Sequence, residues 1–250
     1  MKHALFSWLL GLGDDSLVLA QRLTEWCGHA PMLEVDLGLS NLGLDLLGQA
    51  QLFLGYAGEV EGQGRDADAL AFHRDVLDFR NCLLVEQPNG DFARTMARQF
   101  LFSQYSLLLF EQLTASADAR VAEIAAKAIK EVRYHVELAA DWVIRLGDGT
   151  EESHQRMTDG LAWHWRFVEE LFTPVGDEAP LIAAGIAPDR TRLRGAYETR
   201  LREVLDAATI AYPEWPRAML GGRSGRHGEH LGHLLATMQF LPRAYPAAQW

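Results

Sequence analysis

The residues of this chain best suited to chemistry are its nine histidines and the acids near them. An acid three positions before a histidine puts a carboxylate and an imidazole on one helix face, where both reach the same side of a metal pair. Two such Glu-x-x-His motifs, with one Glu from each of two further helices, form the ligand set of a carboxylate-bridged di-iron bundle. The chain does not supply that set. Three residues before His29, His73, His135, His164, His227, His230 and His233 stand Trp26, Leu70, Val132, Leu161, Ser224, His227 and His230. His3 has no such neighbour. Only His154 follows an acid at this spacing, Glu151, and that pair comes directly after Gly149-Thr150, where acids are explained by attraction to a helix N-terminus.

A spacing of four occurs at Glu131/His135 and Glu229/His233. Glu123, Lys127, Glu131 and His135 succeed each other by four with alternating charge, which reads as a surface ladder bending onto a core histidine. Lys127, Lys130 and Arg133 would also oppose a dication beside it. His227, His230 and His233 with Glu229 form a second cluster. Three His on one helix face could hold a metal, and packing or a partner contact explains them equally well. The adjacent Gly221-Gly222-Arg223-Ser224-Gly225-Arg226 is a locally basic loop in an acidic chain, open to an anionic ligand or an acidic surface, but it lacks the Gly-Lys-Ser/Thr ending of a phosphate loop. No Gly-x-Ser-x-Gly elbow occurs, and neither cysteine sits in a convincing Cys–His context. Trp163, His164, Trp165 and Phe167 form an aromatic cluster suited to a core, with a partner interface as the alternative for its outer side.

The elements that must position these residues read as helices throughout. Segments rich in Leu, Ala, Glu, Gln and Arg dominate, and period-two alternation of β-branched residues is absent. Turn clusters cut the sequence into helices at 4–27, 31–60, 66–77, 92–115, 118–146, 151–172, 190–209 and 228–244. Pro31 suits a first helical turn, Asp91 and Thr150 suit N-caps, and Gly147 suits a C-cap. The stretch 173–189 and the loop from Gly221 to Gly228 read as the flexible connections. Val121, Ala125, Ala128, Val132, His135, Ala139, Trp142 and Leu146 fall on one buried stripe of helix 118–146. Helix 31–60 is apolar over most of its circumference, which predicts a central place, with Asn41, Asp45 and Gln49 as a polar row in need of partners. The expectation is an all-α fold in a single domain, 1–250.

Composition narrows the partners. Net charge −11 and a pI near 5.3 argue against a nucleic-acid binder and against an anionic membrane surface. No run reaches the roughly 18 apolar residues of a membrane span. The apolar stretch Ala4–Leu12 leads into Asp14 and Asp15 with no cleavage signature. Cys27 and Cys82 read as buried free thiols of a cytoplasmic protein.

The chain resembles the C-component family of the multicomponent ring 1,2-phenylacetyl-CoA epoxidase, also called phenylacetate-CoA oxygenase. The resemblance is carried by residues 12–19 (LGDDSLVL), 22–31 (RLTEWCGHAP), 43–50 (GLDLLGQA), 83–90 (LLVEQPNG), 128–135 (AIKEVRYH) and 229–232 (EHLG). It implies a ferritin-like four-helix bundle core with additional helices. It implies a non-catalytic structural subunit that pairs with a homologous catalytic A subunit. The di-iron centre belongs to that partner, which inserts oxygen into the aromatic ring of phenylacetyl-CoA, fed by NADPH through a flavin and iron–sulfur reductase. This chain itself is expected to have no catalytic, cofactor-binding or metal-ligating residues. The partner's two Glu-x-x-His motifs, laid on this chain, fall at Leu46/Gln49 and Val132/His135, a vestigial di-iron position, with Asp45 and Glu131 immediately beside. Two alternatives stand next to this reading. One is an active di-iron subunit using Asp45, Glu131, His135 and Glu229 or His233. The other is a ferritin-like acyl-CoA-binding module with the Gly221–Gly228 loop on the phosphates.

Overall fold

The computed structural model describes residues 1–176 and 178–246 and contains no strand among them. The chain packs as two compact units, Met1–Pro88 with the C-terminal segment from Gly221, and Asn89–Leu220.

The first unit is built on α1 (Lys2–Thr24) and α2 (Leu33–Glu61). A Cβ on Gly13 would meet Leu54 at 2.7 Å, and one on Gly43 would meet Thr24 at 2.9 Å, while Lys2 lies beside Gly62. The sequence numbers of these pairs rise on one helix as they fall on the other, so the two form an antiparallel hairpin in close contact at its glycines. Pro31 lies ahead of Met32, the N-cap of α2, and not inside the helix. The short α3 (Ala67–Phe72) opens on Asp66, whose side chain accepts from Ala69 N at 2.8 Å. The helix expected over 66–77 stops at Phe72, and Val76–Asp78 makes a separate 3-10 turn. The cause is tertiary. Arg74 turns inward and donates through Nε to the Leu70 carbonyl. Gln239 donates to the carbonyls of Ala71 at 2.9 Å and Arg74 at 3.0 Å, and Arg243 to that of Phe72 at 3.0 Å. The orphan carbonyls of the helix end are thus taken by side chains. One further turn of helix, α4 (Leu83–Glu86), is too short to show a period in the sequence.

The second unit carries α5 (Phe92–Leu113) and α6 (Ala119–Gly147). Both open on aspartates. Asp91 accepts from Arg94 N at 2.8 Å, and Asp118 from Arg120 N at 3.0 Å. Phe92 meets Trp142 edge-to-face with centroids 5.0 Å apart, the first turn of one helix against the last turns of the other. The α6 stripe is buried from Val121 through Ala139, while Trp142 and Leu146 depart from it: Trp142 is half-buried and Val143 is buried instead. Then come α7 (Glu151–Trp165), the 3-10 turn Val168–Leu171, α8 (Ala179–Ala183), the 3-10 turn Arg190–Leu193 and α9 (Arg194–Ala207). Thr150 caps α7 in a capping box with Ser153, but α6 ends on Asp148 and not on a glycine cap. The helix expected to reach 172 ends at Trp165, and the Arg166 carbonyl accepts from Met219 N at 2.8 Å. The loop expected at 173–189 holds α8, with Asp177 outside the described residues, and is tied by a buried Arg190–Glu178 pair at 2.7 Å.

The chain then returns to the first unit with α10 (Glu229–Met238) and α11 (Phe240–Ala244), one expected helix split where Gln239 turns onto the α3 carbonyls.

Candidate functional site

Each pair of residues expected to mark a vestigial metal position is buried within its own unit, Leu46 and Gln49 on α2, Val132 and His135 on α6. Leu46 and Val132 offer only carbon where a ligand would need oxygen or nitrogen. On α6, Glu123 and Lys127 are exposed, Glu131 is half-buried and His135 is buried, so the ladder does bend inward onto the histidine. On α2, Asn41 is exposed, Asp45 half-buried and Gln49 buried, so the expected polar row leaves the core at its N-terminal end. The expectation that α2 is central also fails. Leu33, Leu37 and Leu44 are largely exposed on one side of it. The number of leucines measures how much of a helix is apolar and does not say what covers it. Among the described residues no group of three or more His, Cys, Asp or Glu is placed to hold a metal ion.

The densest chemistry lies elsewhere in the first unit, in acids outside any metal-ligand spacing. Asp14 and Asp15 sit in the middle of apolar α1 and are buried. Asp14 is held by both terminal nitrogens of Arg74, one at 3.0 Å, and by Arg80 N at 2.8 Å. Arg74 also stacks on Phe79, 4.3 Å from the ring centre. Asp15 accepts from Cys82 N at 2.7 Å and from Arg223. Burial pushes the Asp15 carboxyl above its ordinary range, against the pull of Arg223. Glu86, fully buried, accepts from Asn81 Nδ2 at 3.0 Å, Gly228 N at 2.7 Å and His227 Nδ1 at 2.8 Å. The Glu86 carbonyl accepts from Arg22 Nη2 at 2.8 Å.

The surroundings of His227 favour its cationic form. Its Nε2 faces the Phe79 carbonyl at 3.0 Å and its Nδ1 the Glu86 carboxylate at 2.8 Å, two acceptors that suit a doubly protonated ring. Burial alone would lower the ring's pKa, but Glu86 and the Phe79 carbonyl raise it above the ordinary value. His230 is half-buried and His233 is not buried with His227, so the three histidines share a sequence interval and not a site. Nor is the Gly221–Gly228 loop a free phosphate cradle. Gly222–Ser224 forms a 3-10 turn packed on Asn81, and Arg223 donates to the Gly11 carbonyl at 3.1 Å as well as to Asp15. A signal for this network is present in the sequence. Two adjacent acids within an apolar helix demand cations, because an unpaired buried charge is prohibitive. Which cations answer them, some 60 and 208 residues away, is not encoded locally.

In the second unit Trp165 and Phe167 are buried, and Trp163 is partly exposed beneath the Arg94 guanidinium, 3.9 Å from its ring centre. His164 is fully buried, with Nε2 donating to the Arg94 carbonyl at 3.2 Å. Burial, with Arg98 and Arg94 near, drives its pKa well below the ordinary value. His154 bonds the Gly147 carbonyl through Nδ1 at 2.6 Å, and Glu151 is exposed, so that pair is a helix-start feature. Cys82 is buried and Cys27 is exposed, contrary to the expectation for the latter. No helix among the described residues is long and apolar enough to cross a membrane.

Comparison with known proteins agrees with the helical architecture. The phenylacetic acid catabolic protein family matches residues 1–250. The chain is 50% identical over 248 residues to the C component of 1,2-phenylacetyl-CoA epoxidase from Escherichia coli (strain K12), covering 99% of this chain and 100% of that protein. A family match across every residue, with a relative aligned along its full length, leaves one conclusion: this all-α chain belongs to the phenylacetic acid catabolic protein family, whose fold is ferritin-like.

Proposed function

We propose that this chain is the non-catalytic structural subunit of a cytoplasmic phenylacetyl-CoA 1,2-epoxidase. It pairs with a homologous di-iron catalytic partner and holds that partner's helices in working geometry. The observation that supports this most is the chemistry of the donor set. Leu46 and Val132 cannot coordinate, and the buried acids and histidine of the first unit are engaged by Arg74, Arg223, Glu86 and backbone groups. A bundle relieved of clustered carboxylates loses their desolvation cost and is stable without metal. On this reading oxygen activation belongs to the partner's di-iron centre, with electrons drawn from NADPH through a flavin and iron–sulfur reductase. The exposed leucines at 33, 37 and 44 of α2 suit a helix-to-helix contact with the homologue, and a stable pair should bury well over about 1,200 Å² in total. The two free thiols suit a reducing compartment.

The test is reconstitution. The purified, folded chain is expected to hold no stoichiometric iron and to oxidise nothing alone, yet to restore epoxidase turnover to the catalytic partner. Iron near two atoms per chain, measured on the isolated protein, refutes the reading. So does full turnover by the catalytic partner in its absence.

A further inference from the structure

The glycine loop at 221–228 closes over buried groups of its own unit. Arg223 reaches Asp15 and the Gly11 carbonyl, and Gly228 N donates to Glu86 at 2.7 Å. Cys82 lies underneath and is fully buried. A Cβ on Gly222 would stand 3.0 Å from Leu83 N and 3.2 Å from the Cys82 carbonyl carbon. The amide and the thiol of Cys82 both hydrogen-bond to Asp15, the carboxylate that Arg223 holds. The eight residues of the loop, GGRSGRHG, contain no apolar side chain, so polar contacts alone keep it shut. A segment fastened this way opens more readily than an apolar core does.

Its C-terminal fastening is His227, whose ring is out of water. The ring meets the Glu86 carboxylate at 2.8 Å through Nδ1 and the Phe79 carbonyl at 3.0 Å through Nε2. A cationic imidazole donates to both. A neutral one has a single N–H, so in either tautomer the other nitrogen turns a lone pair towards an oxygen. Neither oxygen is free to move away. Glu86 also holds Asn81 and Gly228, and the Phe79 carbonyl also accepts from Arg80 Nη1 at 2.7 Å. The charged groups of the surrounding elements add to this preference. Asp14 on α1 favours the cation, while Arg22 is engaged by the Glu86 carbonyl and Arg74 by Asp14. Arg226 and Glu229, close to the ring in sequence, are exposed.

We infer that the loop 221–228 is a proton-controlled flap: it stays closed over Cys82 and Asp15 while His227 carries its proton, and it opens when the ring is neutral, with the α1–α2 hairpin still folded. Burial lowers the pKa of the ring, but Glu86, the Phe79 carbonyl and Asp14 raise it above the ordinary value, so opening falls on the alkaline side of about 6.5.

The test uses the full chain with Cys27→Ser, which leaves Cys82 as its one thiol. Iodoacetamide labelling of Cys82 is divided by the rate for the denaturant-unfolded chain at the same pH, which removes the thiolate's own pH dependence. The normalised rate is expected to rise at least tenfold between about pH 6 and about pH 9, while the amides of α1 and α2 remain protected from hydrogen exchange. His227→Gln, whose amide has one donor nitrogen, should label fast at every pH. Glu86→Gln should move the rise to lower pH. If His227→Gln does not fold, the wild-type profile and the Glu86→Gln shift decide. A normalised rate that ignores pH overturns the inference. So does a loss of α1–α2 protection as large as that of Cys82, which is unfolding of the whole unit, and so does an unshifted rise in Glu86→Gln.

Discussion

His227 in the first unit and His164 in the second are both out of water, yet their surroundings push them to opposite charge states. His227 has an acceptor on each nitrogen, one of them a carboxylate at 2.8 Å, so its cationic form is favoured. His164 faces a carbonyl on one nitrogen and guanidinium groups nearby, so it is held neutral. The contrast extends to the units. The first is fastened by ion pairs that join α1 and α4 to residues far along the chain, Arg74, Arg223 and His227. The second has a buried ion pair, Arg190–Glu178, beside its apolar stripes, aromatic edges and local helix caps. Burial thus does not fix what a polar group does. The nearest formal charge decides it.

The largest effect that would break this comparison is removal of one buried partner. Arg74→Ala leaves Asp14 buried without its cation and should cost about 3–5 kcal/mol by denaturant unfolding, whereas Asp14→Leu with Arg74→Met together should cost far less. If the single and double variants lose equally, the first unit is not held by this pair.

The two histidines give opposite pH limbs. The folded pKa of His227 is raised, so its contribution is fully present below the unfolded value near 6.5 and is lost as pH rises through the folded value. The folded pKa of His164 is depressed, so the unfolded state binds the proton more readily and stability falls as pH drops below about 6.5. Melting temperature against pH should lose its alkaline slope in His227→Gln and part of its acid slope in His164→Leu. Identical profiles for both variants and wild type would remove the distinction.

A smaller effect sharpens the packing side. A Cβ at Gly147 would lie 2.5 Å from the Ala208 carbonyl oxygen, so Gly147→Ala should cost about 1–3 kcal/mol. Smallest, Asp91→Ala removes the cap on α5 and should cost about 1 kcal/mol. In the assembled complex Glu131→Gln with His135→Asn should leave turnover unchanged if, as proposed, this chain is non-catalytic.

What could be read in advance depends on whether an element's partners are local. In the second unit α5 and α6 begin and end within two residues of expectation, because Asp91 and Asp118 cap locally and the α6 stripe repeats at helical spacing. The expected helices 66–77 and 228–244 of the first unit are each broken in two, and 151–172 and 190–209 of the second each divide into an α-helix and a 3-10 turn. In the first unit Arg74 turns inward onto Asp14, 60 residues away, and Gln239 onto the Ala71 carbonyl, 168 residues away. The ligand chemistry at Leu46, Gln49, Val132 and His135 needed only residue types. The Asp14, Asp15 and Glu86 network needed partners that spacing does not reveal.

The sequence by itself determined the all-α class, the long helices and the residue types at 46, 49, 132 and 135. These follow from propensity, periodicity and side-chain chemistry, all readable within a few residues. Only the tertiary structure decided which face of α2 stays open, which histidine is charged, and that the basic glycine loop closes on Asp15. Those outcomes depend on groups brought together across as many as 208 positions, and electrostatic attraction and burial act on spatial distance, not on sequence distance.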